Sequence, residues 1–102
     1  MVYYVYVLQS KKDYKFYTGY TKNLKLRLGQ HQTKKVDSTK YRGDLRLIYF
    51  EGCLNQQDAT HREKYLKTFH GKMFLKNRLK SYLNRVKIVA DDAQEILVPR
   101  EV

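Results

Sequence analysis

Cysteine is almost absent from this chain. Cys53 stands alone, so no disulfide can close within the sequence, and a reducing cytoplasm is the expected setting. Long apolar runs are missing too: none approaches the roughly 20 residues that a membrane-spanning helix needs. The opening residues, Met1-Val2-Tyr3-Tyr4, lack the basic segment and cleavage site of a secretory signal. There is no internal repeat and no low-complexity stretch. Acidic residues are scarce, and this is the compositional anomaly. Ten Asp and Glu face 21 Lys and Arg, a net charge of +11 and a pI near 9.8. The excess lies in residues 1–85, where 19 basic residues face 6 acidic ones, whereas residues 86–102 hold 2 and 4. A field of this sign concentrates phosphate polymers at the surface and speeds their encounter. Solubility and attraction to anionic membrane are the plainer readings. A compact basic domain without an amphipathic anchor favours nucleic acid.

The 102 residues suit one domain, able to bury about two-thirds of its unfolded surface. Residues 3–9 are β-branched and aromatic and predict a strand. A polar turn at 10–13 and a second strand over 15–20 make an antiparallel hairpin. Thr21 and Asn23 are candidate caps for a helix over about 22–34, which sets Leu24, Arg27, Leu28 and His31 on one face. Residues 34–44 read as a basic loop, 45–50 as a third strand, and 56–69 as a second helix capped by Asn55. Ala59, Leu66 and Phe69 are expected to point inward there. Gly71 is expected to interrupt that helix, before a third, very basic one over 72–83 with Met73, Leu75, Leu79 and Tyr82 at its apolar positions. The tail from 86 has one strand-like tetrad, Lys87-Ile88-Val89-Ala90, and then acidic residues. The expected fold is α+β: a small three-stranded antiparallel sheet flanked by helices in the order β-β-α-β-α-α.

Three polar residues sit where apolar ones are expected. Glu63 falls about 40° from Ala59 and about 60° from Leu66 on the wheel of the second helix, at the flank of the apolar stripe. A carboxylate half-turned into a core costs free energy unless cations or donors satisfy it. Either it pairs with Arg62, Lys64 or Lys67, or it holds a metal. Arg27 and His31, one turn apart beside Leu24 and Leu28, either frame a site or form a buried bridge. Two strand tyrosines, Tyr6 and Tyr17, carry little weight alone in a chain with ten.

Their order and spacing together resemble the GIY-YIG nuclease family. Tyr4-Val5-Tyr6 looks like its first triad and Tyr17-Thr18-Gly19 like its second. Arg27 and His31 stand where the family has its helix arginine and histidine, and Ala59-Thr60-His61-Arg62-Glu63 looks like its metal-binding glutamate segment. The resemblance runs from Tyr3 to about Leu83 and is closest to small stand-alone bacterial members. It sets a nuclease-like domain at 1–85 and an acidic tail at 86–102. Tyr4 replaces the first glycine of the pattern, Thr18 replaces an isoleucine, and Asn77 is the nearest candidate for a late asparagine. Several members of the stand-alone type have no demonstrated activity.

The resemblance implies a metal-dependent endonuclease acting on nucleic acid, DNA first. Glu63 would hold one Mg²⁺ or Mn²⁺, with water completing the shell. The metal would bind a phosphate oxygen and the leaving 3′ oxygen. Arg27 would stabilise charge on the phosphorane-like centre. Tyr6 would activate water with Tyr17 as its partner, and His31 would assist by relay or hydrogen bond. A free phenol has a pKa of about 10, so metal and Arg27 would have to lower it. Gly19 would keep the strand end open for the backbone to approach the phosphate.

Lys72, Lys76, Arg78 and Lys80, with Lys40 and Arg42 in the loop, are candidate phosphate contacts, or an ordinary solvated face. Tyr41 could stack on a base or pack. Cys53, His61 and His70 fit no zinc spacing. The rival reading is a non-catalytic basic nucleic-acid-binding module of the same fold. A third, an adaptor for an acidic protein, leaves Glu63 and the tyrosine pair unexplained. A chain this short is expected to carry no separate targeting domain, whether it serves repair, recombination or a mobile element. Specificity is then low, or rests on DNA structure, or is supplied by a protein partner.

Overall fold

The structure, a computed structural model, describes residues 1–36 and 39–88. Three strands, β1 (Tyr3–Ser10), β2 (Phe16–Thr21) and β3 (Leu45–Cys53), form one antiparallel sheet in the order β2-β1-β3. Helix α1 (Leu24–Gln32) follows β2, and α2 (Gln56–Leu66), α3 (Phe69–Arg78) and α4 (Lys80–Ile88) follow β3. The α+β class and the three-stranded antiparallel sheet are as the sequence led us to expect. Among the described residues no helix is long and apolar enough to cross a membrane.

The central strand β1 is buried on both faces, so its side chains divide two cores. On one face Tyr6 and Leu8 pack with Leu24 and Leu28 of α1 and with Leu45. On the other, Val5 and Val7 pack with Ala59 and Leu66 of α2 and Leu75 of α3. The register of β3 slips between Val7 and Leu8 of β1, leaving Ile48 as an extra residue. That bulge lets Leu45, Leu47 and Phe50 join the α1 core while Ile48, Tyr49 and Cys53 join the other. On the second face Glu51 is held by Arg62 Nε at 2.8 Å and by the Tyr49 hydroxyl at 2.8 Å.

Asn23 and Asn55 cap as expected, their side chains accepting from the backbone N–H of Leu26 and Asp58 at 3.1 Å. The helical tail of the fold differs from expectation. Gly71 does not break α2; it lies inside α3. The break falls at Lys67-Thr68, where the Thr68 hydroxyl accepts from Gly71 N at 3.1 Å and starts a new helix. Gly71 has a different task, because a Cβ there would lie 2.0 Å from the Tyr65 carbonyl oxygen. Only glycine lets α3 cross α2 this closely.

The single helix expected over 72–83 is two, parted at Leu79. Phe69 and Met73, expected to face inward, are 72% and 50% exposed. Lys87 and Ile88, expected in a strand-like tetrad, close α4. Val89, Ala90 and the rest of the acidic tail lie outside the described residues.

Candidate active site

Tyr6, Tyr17, Gly19, Arg27, His31 and Glu63 all line one cavity of about 190 Å³, together with Thr18, Tyr20, Thr39 and Lys67. Four elements and a loop supply them. Tyr6 comes from β1, and Tyr17 to Tyr20 from the edge strand β2. Arg27 and His31 come from α1 on one face, and Glu63 from α2, with Lys67 just past its end, on the other. Positions far apart in the chain meet at the edge of the sheet, where both faces are within reach.

The Tyr6 side chain crosses directly over Gly19, its antiparallel partner. A Cβ on Gly19 would lie 2.3 Å from the Tyr6 hydroxyl. Gly19 therefore leaves room for the phenol.

Tyr6 is 2% exposed, and its hydroxyl lies 2.8 Å from His31 Nε2 and 3.3 Å from Arg27 Nε. His31 Nδ1 in turn lies 2.7 Å from Thr39 Oγ1. Burial first, and the Arg27 charge second, lower the His31 pKa from the usual 6.5 to about 4, so the ring is neutral at pH 7. Arginine can only donate, so the phenol oxygen accepts from Arg27 Nε. In the tautomer that carries its proton on Nδ1, the phenol donates to Nε2 and Nδ1–H donates to Thr39. The result is a directed chain from Arg27 through Tyr6 and His31 to Thr39. Arg27 is further held by Gln30, whose side-chain oxygen accepts from Nη1 at 3.2 Å.

Burial pushes the Tyr6 phenol above its usual value. The Arg27 hydrogen bond and charge pull it down without overcoming that, and the Glu63 carboxylate adds to the rise. The expected lowering by Arg27 is present but outweighed. Tyr6 is a phenol here, not a phenolate.

Glu63 is partly buried, its side chain 20% exposed, and its partner is Lys67, with Nζ 3.2 Å from Oε2. Of the three partners named from sequence, Arg62 belongs to Glu51 instead. Two features suit a hard divalent cation beside Glu63: the residue lines the cavity, and an ammonium stands where a cation would. The described residues contain no cluster of three or more His, Cys, Asp or Glu able to hold a metal. One carboxylate plus water and substrate oxygens is the coordination Mg²⁺ accepts.

The sequence reading overlooked Thr39 and Tyr20. Thr39 sits in a loop, where periodicity offers no guide, and Tyr20 is masked by the abundance of tyrosine. Of the proposed phosphate contacts, Arg42, Lys72, Lys76 and Lys80 line a second, larger cavity. Arg78 and Lys40 line neither cavity. The Lys40 ammonium lies 5.0 Å from the Tyr41 ring centroid. Asn77 is exposed and also lines neither, while Tyr41 is 83% exposed. His61 and His70 are both exposed.

Comparison with known proteins identifies the family. The family model of the GIY-YIG catalytic domain matches residues 2–78. A UPF0213 protein of Clostridium perfringens is 42% identical over 65 residues, covering 63% of this chain and 69% of that protein. One from Pediococcus acidilactici is 38% identical over 90 residues, covering 85% and 87%. The solution NMR structure of a UPF0213 protein from Bacillus halodurans superposes with a TM-score of 0.52 at 32% identity, covering 87% of this chain and 98% of that one. With the motif residues gathered at one cavity and the family model spanning most of its length, the chain belongs to the GIY-YIG family, alongside the small bacterial UPF0213 proteins.

Proposed function

We propose that this protein is a metal-dependent endonuclease that hydrolyses DNA phosphodiester bonds. The observation that carries the reading is the meeting of a buried phenol–imidazole chain, an anchored guanidinium and a cavity-facing carboxylate at one small polar cavity. A protein that only binds nucleic acid gains nothing from a carboxylate set among cations, since it repels the phosphates.

Glu63 would hold Mg²⁺ or Mn²⁺, which when bound would neutralise charge on a phosphate oxygen and the leaving 3′ oxygen. This chain's own residues supply the rest. With its proton directed at His31 and one lone pair taken by Arg27, the Tyr6 oxygen keeps a second lone pair to accept a hydrogen bond from the attacking water. As the water loses its proton to Tyr6, the phenol proton moves along the 2.8 Å bond to Nε2. Thr39 fixes the ring so that Nε2 is the nitrogen that receives it. The depressed basicity of His31 opposes this transfer. A bound phosphate lowers the cost, because its negative charge favours the imidazolium.

Arg27, fixed by Tyr6 and Gln30, places its positive charge beside the same atoms. Charge that grows on the phosphorus centre there is stabilised without reorganisation. Tyr17, half-buried at the cavity wall, is the second phenol of the pair. With a divalent ion held by Glu63, Lys67 would be free to pair with substrate phosphate.

The test is Glu63→Gln, which removes the charge and preserves the shape. Cleavage should fall by several powers of ten while DNA affinity holds or rises. A mutant that matches wild type across a metal titration removes Glu63 from the site.

A further inference from the structure

The larger of the two cavities, about 970 Å³, opens beside the first and shares Tyr17 with it. One wall is the end of the β1–β2 hairpin, with Tyr14, Phe16 and Tyr17. The other is the Lys72-Lys76-Lys80 row of α3 and α4, and Arg42 closes one side. All four are exposed, as is Lys15, the fifth cation of the lining. None of the row's three lysines forms an ion pair with another described residue. The Arg42 guanidinium lies 5.7 Å from the centroid of the shared Tyr17 ring. One acid, Asp13, lies in the lining, and the Lys15 backbone N–H holds its carboxylate at 3.0 Å.

Three ammonium groups in a row, unpaired among the described residues, cost electrostatic free energy, which an anion threading between them relieves. Rings on the facing wall suit an anion that also carries flat groups. Basic grooves faced by aromatic platforms track single-stranded nucleic acid, since every base offers a π-face. The size agrees. The volume falls within the range of about 300–1,000 Å³ typical of ligand sites, the scale of a few unstacked nucleotides and not of a duplex.

We propose that this groove holds an unpaired DNA strand continuing from the first cavity, with phosphates on Lys72, Lys76, Lys80 and Arg42 and bases on Tyr14 and Phe16. The preferred substrate is then single-stranded DNA or a duplex with a single-stranded arm. Tyr17, common to both cavities, is where the strand passes from the groove to the reacting phosphate. The inference rests on the nuclease reading for what happens to that strand, but not for its binding.

The test is therefore made without catalysis. Fluorescence anisotropy in EDTA would compare a 20-nucleotide oligo-dT, a blunt 20-base-pair duplex and that duplex with a ten-nucleotide dT arm. Full-length wild type should bind the single strand and the armed duplex at least tenfold more tightly than the blunt duplex at equal salt. Lys76→Gln/Lys80→Gln should remove most of that preference. Tyr14→Ala should weaken oligo-dT binding about fivefold or more, as loss of one base stack does, with little effect on the blunt duplex. Matching circular dichroism and thermal melts would confirm that the variants are folded.

Equal affinity for blunt duplex and single strand overturns the inference, as does a preference that the lysine variant retains. Single-strand preference with no cutting under Mg²⁺ or Mn²⁺ upholds the groove and overturns the nuclease reading. Cutting without the preference does the reverse.

Discussion

His31 shows how one buried residue ties stability to pH. Folded, its pKa is about 4; unfolded, it returns to 6.5. Between those values the unfolded chain takes a proton that the folded chain refuses. The stabilisation is therefore complete above about pH 6.5 and is lost as pH falls toward 4. At pH 4.5 the loss attributable to His31 is about 2–3 kcal/mol. Urea unfolding of wild type and His31→Gln at pH 7 and 4.5 should show the wild type losing that much more. Equal losses would mean that His31 titrates normally.

The charged members of this site were legible in the sequence because polar residues at the core edge of α1 and α2 break the apolar pattern, whereas Tyr6 and Tyr17 were picked out only by their resemblance to the family's motifs. The coupling between these residues was not legible. The Tyr6–His31 bond spans 25 residues, and its orientation depends on Thr39, a loop hydroxyl that no periodicity marks. Lys67 was within reach of sequence reasoning, one turn beyond Glu63. The cavity is what separates it from Lys64.

At the scale of elements, two close approaches decide the architecture. Gly71 admits the Tyr65 carbonyl at a distance that no Cβ tolerates, and the atom in the way is backbone, which cannot rotate aside. Gly71→Ala should cost about 3 kcal/mol or more. Gly19→Ala should cost less, because its obstacle is a side chain, yet it should cripple the site by displacing Tyr6. Denaturant midpoints order the two variants, and a Gly71→Ala protein as stable as wild type would contradict the α2–α3 crossing.

Strand existence and order of appearance were readable from the β-branched and aromatic runs, and two of the helix caps from Asn23 and Asn55. The division of the basic C-terminal stretch was misread. Gly71 looked like a breaker because its helix cost is local and visible, whereas its packing benefit lies on a different helix. Thr68, which starts α3, was hidden in what read as a continuous helix. Phe69 and Met73 kept their apolar character but lost an inward face once α3 turned against α2. They are 72% and 50% exposed.

For the whole molecule, a net charge of +11 is the dominant fact. Binding should be largely electrostatic, with log K falling by about 0.9 per duplex phosphate neutralised, or about 0.7 on a single strand, for each unit of log salt. Neutralising Lys76 and Lys80 should reduce the slope by up to about two units. An unchanged slope would move the binding surface away from the groove.

On the proposed function, the molecule turns affinity for DNA into cutting. Because affinity is spread over many cations while growing charge meets one anchored guanidinium, the two properties are separable at Arg27. The direct measurement is single-turnover cleavage of a single-stranded DNA with Mg²⁺ or Mn²⁺, alongside its dissociation constant, for wild type, Arg27→Ala and Arg27→Lys. Arg27→Ala should cut about 10²–10³-fold more slowly, a loss of roughly 3–4 kcal/mol of transition-state stabilisation, with far less change in affinity. Arg27→Lys should recover little, since an ammonium lacks the two parallel donors. If wild type cuts nothing with either metal, or if Arg27→Ala loses affinity in step with rate, the protein is a binding module in a nuclease fold.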